Sequence, residues 1–99
     1  MNSTMQGEQS KSAIISTALE LWHEKGERGV SARAIGKRIG LTHAGVIYHF
    51  GNIAGLMDAV KREAIGSGDG LVIRQLIAAA DPLVAGWSQE DRLAWLAGG

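Results

Sequence analysis

Residues 31–50 read SARAIGKRIGLTHAGVIYHF, and this stretch decides the fold. It holds two short apolar periodic segments, each opened by a hydroxyl residue and separated by Gly40-Leu41. Ser31 and Thr42 are natural N-caps, because a side-chain oxygen there accepts one of the backbone N–H groups that a helix start leaves unpaired. The first segment carries Ala34, Ile35, Arg38 and Ile39 at helical spacing; the second runs from His43 to about His49. Gly40 permits the positive φ that reverses the chain between them. Gly36 is small where the two axes are expected to cross, Leu41 is expected to plug the corner, and Ile35, Ile39 and Val46 are expected to meet beneath. Two short helices joined by such a turn form a helix-turn-helix.

On a 100° wheel, Val46 marks the core direction of the second helix, flanked by His49 and Phe50. Ala44 and Tyr48 lie opposite, one turn apart, with His43 and Ile47 at their margin. Small residues let a helix approach a grooved partner closely. Tyr48 offers a hydroxyl to a phosphate and His43 a donor to a base edge or a phosphate, while Ala44 and Ile47 suit a thymine methyl. This face suits a helix lying in the major groove of DNA. Two residues keep a second reading: Tyr48 as a surface ring capping the core, and His49 as a packing residue with one hydrogen bond.

Outward from this stretch the chain stays helical in pattern. SAIISTALELWHEKG (12–26) places Ile14, Ile15, Ala18, Leu19 and Trp22 on one face, with Gly26 as its left-handed stop. After Phe50 and Gly51, Asn52 caps a fourth helix whose apolar face is Ile53, Leu56, Met57, Val60 and Ala64. GSGDG (66–70) reads as a linker; no strand precedes it, as a phosphate-binding loop would require. LVIRQLIAAA (71–80) is apolar nearly all round, as in a buried helix. Asp81-Pro82 signals a further helix start, and Ser88 with Asp91 resembles a capping box ahead of Trp95. No period-2 alternation and no internal repeat occur. The expected fold is all-α: a three-helix homeodomain-like bundle, a long fourth helix and a short helical C-terminal extension.

The 99 residues carry 45% apolar and 20% charged side chains, no cysteine, one Pro and 14 Gly. Disulfides and Cys-ligated zinc are thereby excluded. The polar start MNSTMQGEQSK lacks a signal-peptide core, and no apolar run is long enough to span a bilayer, so a soluble cytoplasmic protein without membrane contact is expected. Net charge is zero but unevenly spread: residues 1–63 hold eight Lys/Arg against six Asp/Glu, and residues 64–99 hold two against four. From Arg28 to His49 stand Arg28, Arg33, Lys37 and Arg38 with no acid, a weak basic stripe. His23, His43 and His49 are too scattered to hold a metal without Cys or a nearby acid. No nucleophile, base and acid arrangement is recognisable, so neither an enzyme nor a cofactor is expected.

Ile14 to Trp22, then EKGERGVSARAIGKRIGLTHAGVIYHF, then Leu56 together resemble the amino-terminal domain of TetR-family (tetracycline-repressor-like) transcriptional regulators. The resemblance runs without a gap over residues 10–60. It implies a DNA-binding head at 8–68 whose third helix enters the major groove, followed at 71–99 by part of a helical regulatory and dimerisation region. By position, Arg33 falls where some members place a guanine-reading arginine. Thr42, His43, Ala44, Gly45, Tyr48 and His49 fall on the family's recognition-helix contact positions. Ile47 occupies the place of the family's usual Tyr, with the aromatic one residue later at Tyr48. Ile53 and Ala54 replace a common Lys and acid, which removes one phosphate contact.

The function these features imply is sequence-specific binding of a double-stranded DNA operator, as a transcriptional regulator and repressor. Arg33 adds a base contact, and Ser31, Thr42, Tyr48 and Asn52 hold phosphates. The resemblance brings two more partners: a small-molecule effector, if a pocket survives in this short body, and a second copy of the chain. Segment 71–80 with Trp87 and Trp95 is the candidate dimer surface. The competing reading is a small helical module that pairs with another regulator through 71–97 without binding DNA itself.

Overall fold

The computed structural model describes residues 3–98, with side chains from residue 9 onward. It is 78% helical, with no strand among the described residues. In chain order the helices are α1 (Ser3–Lys25), α2 (Ala32–Ile39), α3 (His43–Tyr48), α4 (Ile53–Ser67), α5 (Gly70–Ala78), α6 (Pro82–Ala85) and α7 (Gln89–Leu96); a 3-10 turn at Glu27–Gly29 joins α1 to α2. The chain divides into two compact units, one ending at Val60 and one beginning at Lys61, so that α4 runs from the first into the second.

In the first unit α1 packs on α2, and α2 on α3. Its α1 buries Ile14, Thr17, Ala18, Leu21 and Trp22, a stripe recurring every three to four residues. Leu21 belongs to this stripe, whereas Ile15 and Leu19 are only half-buried at its edge. The helix also starts earlier than its apolar period, because Met, Gln, Glu and Lys upstream are good helix formers. Its end differs from expectation too. Gly26 donates to the Trp22 carbonyl at 2.8 Å, but its φ of 82° pairs with a ψ of 176°. It is an extended mirror-image residue that turns the chain into the 3-10 segment, not a left-handed helical stop.

Ile35 and Val46 are fully buried, and Ile39 half-buried beside them. Truncating Ile35 to Ala would cost about 2–5 kcal/mol, as for other buried aliphatic residues. On α4, Leu56 and Val60 are fully buried, but Ile53 is 49% exposed. Ile53 stands at the first position of the helix, on the rim rather than in the core.

In the second unit α5 packs against α6 and α7. GSGDG proves to be a helix junction and no linker. Gly66 and Ser67 continue α4, Gly68 turns with φ 72°, and the Asp69 carboxylate caps α5 by accepting from Val72 N–H. Helix α5 is also not buried all round: Val72, Ile73 and Leu76 are buried, while Gln75 and Ala78 face solvent. Asp81 caps α6 through Leu83 N–H at 3.0 Å, and Ser88 caps α7 through Asp91 N–H at 3.0 Å. The other Asp81 oxygen receives a hydrogen bond from Lys61 Nζ at 2.8 Å, tying α4 to the start of α6.

Candidate nucleic-acid interface

The turn between α2 and α3 is built from three local devices. Ser31 Oγ accepts from Ala34 N–H at 3.0 Å and opens α2; Thr42 Oγ1 accepts from Gly45 N–H at 2.9 Å and opens α3. Gly40, at φ 78° and ψ 30°, sits in the left-handed region between them. Its N–H and that of Leu41 both donate to the Gly36 carbonyl, at 2.8 and 2.9 Å, which closes α2. A Cβ on Gly36 would collide with the Leu41 carbonyl oxygen. That obstacle is backbone and cannot swing aside, so the absence of a side chain lets α3 leave the turn where it does. The tight crossing expected at Gly36 and Gly40 is therefore present.

The crossing fixes which way α3 faces. Val46 is fully buried, Ala44 and His43 are exposed, and Tyr48 is 82% exposed. Ile47, His49 and Gly45 are half-buried at the margins. Tyr48 therefore does not cap the core with its ring. The His49 ring meets it edge-on, with centroids 5.5 Å apart, which steadies the pair of rings on the surface. Past α3, Asn52 Oδ1 accepts from Gly55 N–H at 2.7 Å and opens α4. Leu41 departs from its expected role: it is 37% exposed, and instead of plugging the corner it lines a shallow open groove with Ile39, Gln9, Ser10 and Ala13.

The basic stripe is thinner than the sequence suggested. Arg38 forms a two-pronged ion pair with Glu24 on α1, Nη1 to Oε2 at 2.8 Å and Nη2 to Oε1 at 3.1 Å. That hydrogen bonding holds the Glu24 carboxyl below the usual carboxylate range and raises the Arg38 guanidinium further. No local spacing signals this pair, since its members lie 14 residues apart on different helices. It joins α1 to α2 and takes one cation from the stripe. Arg33 and Lys37, four residues apart and thus on one side of α2, are both exposed. Among the described residues no three His, Asp or Glu side chains group as a metal site would need.

Of the ten residues singled out from sequence, eight lie at or within the turn and α3, or just before α2: Ser31, Thr42, His43, Ala44, Gly45, Ile47, Tyr48 and His49. Arg33 stands on the first turn of α2 and Asn52 at the head of α4. The family model for bacterial regulatory proteins of the tetR family matches residues 14–60. This head is a tetR-family domain. The matched span opens inside α1 and ends at the last residue of the first compact unit. A tetR-type head is a DNA-binding helix-turn-helix of transcriptional regulators, which are generally non-enzymatic. No curated protein and no solved structure matches the chain. No helix among the described residues is long and apolar enough to cross a membrane.

Proposed function

We propose that the protein is a cytoplasmic transcriptional repressor that binds a specific double-stranded operator by inserting α3 into the major groove. The observation that carries this reading is the outward presentation of Ala44 and Tyr48 on the side of α3 opposite Val46. A helix whose exposed side is small at one turn and aromatic at the next can sit close to a duplex without steric conflict. Tyr48 and His43 then donate to phosphate or base edge, Gly45 lets the backbone approach, and His49 steadies the Tyr48 ring. Arg33 is assigned a guanine contact from the start of α2.

Ser31, Thr42 and Asn52 serve as caps and phosphate donors together. Each uses its oxygen as an acceptor for a helix-start N–H. The hydroxyl protons of the first two and the amide N–H of Asn52 remain for phosphate oxygens, which helix N-termini attract in any case. With Arg28 and Lys37 exposed beside the base-reading Arg33, each head neutralises roughly 2 phosphates, giving a shallow dependence of log affinity on log salt with slope near −2 per head. Useful specificity then requires two heads on two half-sites, one helical turn or a multiple apart.

The second copy is assigned to residues 71–99, within the second unit. The apolar side chains Val72, Ile73 and Leu76 of segment 71–80 are already buried, and Trp87 and Trp95 are half-buried. This moves the pairing surface to α7, where Leu93 is 55% and Leu96 46% exposed, one turn apart. A small-molecule effector is assigned to the same region of the assembled dimer. The same exposed leucines also favour the second reading, in which α7 pairs with a different regulator.

Selection of binding sites from random duplexes, read with fluorescence anisotropy on the selected site, tests the proposal. Arg33→Ala should weaken binding by about 1–3 kcal/mol and relax preference at one base pair, and Tyr48→Phe should weaken binding without changing preference. Enrichment of no sequence, or unchanged affinity in both variants, would refute direct readout and leave the protein-pairing reading in its place.

A further inference from the structure

The exposed side chains that α3 carries are His43, Ala44 and Tyr48, with Ile47 half-buried at the margin and the cap Thr42 ahead of them. Residues 42–49 contain no Arg, Lys, Asn or Gln. Those are the side chains that make paired hydrogen bonds to the major-groove edge of guanine or adenine. The Thr42 hydroxyl oxygen is engaged with Gly45 N–H. A Cβ on Gly45 would stand 3.1 Å from that oxygen, a tight contact against the cap. Ala44 and Ile47, three residues apart, are neighbours on one surface, and Gly45 lies on the opposite margin, beyond Tyr48. What α3 brings to the floor of a groove is one imidazole, one phenol and an apolar patch.

The major groove offers a single apolar group, the methyl on pyrimidine C5. We propose that α3 discriminates bases chiefly by the C5-methyl group, through Ala44 and Ile47. It therefore reads thymine, and reads 5-methylcytosine in preference to cytosine at the same position. The inference rests on the DNA-binding reading above and adds to it the chemical class of base that α3 recognises; guanine reading stays with Arg33 on α2. A consequence is that operator affinity responds to cytosine C5-methylation within the half-site, with methylation strengthening binding where a methyl-reading contact lies beneath.

The test uses the full chain and the duplex obtained by binding-site selection. Each thymine in the half-site is replaced in turn by deoxyuridine, and at each position so identified a 5-methylcytosine pair is compared with a cytosine pair. At one or more positions loss of the methyl should weaken binding about fourfold, the worth of one buried methyl group, and the cytosine pair should regain the same factor on methylation. Ala44→Gly, at an exposed position outside the core, should shrink both ratios toward one. Ratios below about 1.5-fold at every thymine, with the unmodified duplex still bound, would overturn methyl reading and leave the proposed function intact. A response to thymine but none to 5-methylcytosine overturns the second half of the proposal. Failure to bind any duplex overturns both readings together.

Discussion

Replacement of Gly40 isolates the helix-turn-helix turn from everything around it. Gly40 has φ 78° and ψ 30°, is exposed, and has nothing within 4 Å of where a Cβ would stand. The cost of Gly40→Ala is therefore backbone strain alone, about 1 kcal/mol for an L-residue in the left-handed region. Asn visits that region more readily, so Gly40→Asn should cost about half as much. Gly26 provides the control. It also has positive φ and open space around it, but its ψ of 176° lies where Asn has no such advantage. Gly26→Ala and Gly26→Asn should both cost about 1–3 kcal/mol. Urea unfolding followed by circular dichroism reads these values as midpoint shifts at constant slope, on the order of 0.5 M for 1 kcal/mol. If Asn and Ala are equal at Gly40, or if Asn rescues Gly26 as it does Gly40, the geometry assigned to the two turns is wrong.

Gly36→Val should be far more damaging than Gly40→Ala, because its Cβ meets the Leu41 carbonyl and no rotamer relieves the contact; at least about 2 kcal/mol of destabilisation in the same urea experiment is expected. Asp81 gives a pH signature. Burial pushes its carboxyl up, but the Lys61 hydrogen bond, the Leu83 N–H and the Lys61 charge together outweigh that and hold it below the ordinary value of 3.8. The stability it contributes is thus fully present above about pH 4 and is lost as pH falls through the lowered folded-state value. Asp81→Asn keeps a capping oxygen and removes the charge, so the melting-temperature gap between wild type and variant should close as pH drops from 5 toward 3, roughly the titration range of an aspartate. Asp81→Ala loses the cap as well and should cost about 1 kcal/mol more than Asp81→Asn at pH 7.

Much of the helical pattern was legible because its signals are local. Ser31, Thr42, Asn52, Asp81 and Ser88 each act on an N–H two or three residues ahead, a distance that sequence spacing can represent. The same holds for Gly40 and for the outward side of α3, since a helical wheel needs only one buried residue, Val46, to orient the rest. Tertiary pairings escaped. Arg38 with Glu24 and Lys61 with Asp81 join residues 14 and 20 apart on different helices, and nothing near any of the four announces its partner. GSGDG misled for a different reason. Its composition is that of a flexible linker, but a helix junction uses the same residues, Gly for the turn and Asp for the cap. Ile53 misled because helical spacing places a residue on a face without saying where the neighbouring element ends, and Leu41, in the turn, because an apolar side chain there has no periodicity to show which way it faces.

The sequence contains a single tyrosine, Tyr48, so the whole site can be watched through one side chain. With 3-fluorotyrosine incorporated, the fluorine resonance reports the surroundings of that ring alone. On titration with the selected duplex it should shift and lose access to a soluble paramagnetic relaxation agent, in step with the anisotropy change. Saturated DNA binding with the resonance unmoved and still open to the agent would contradict the placement of α3 in the groove.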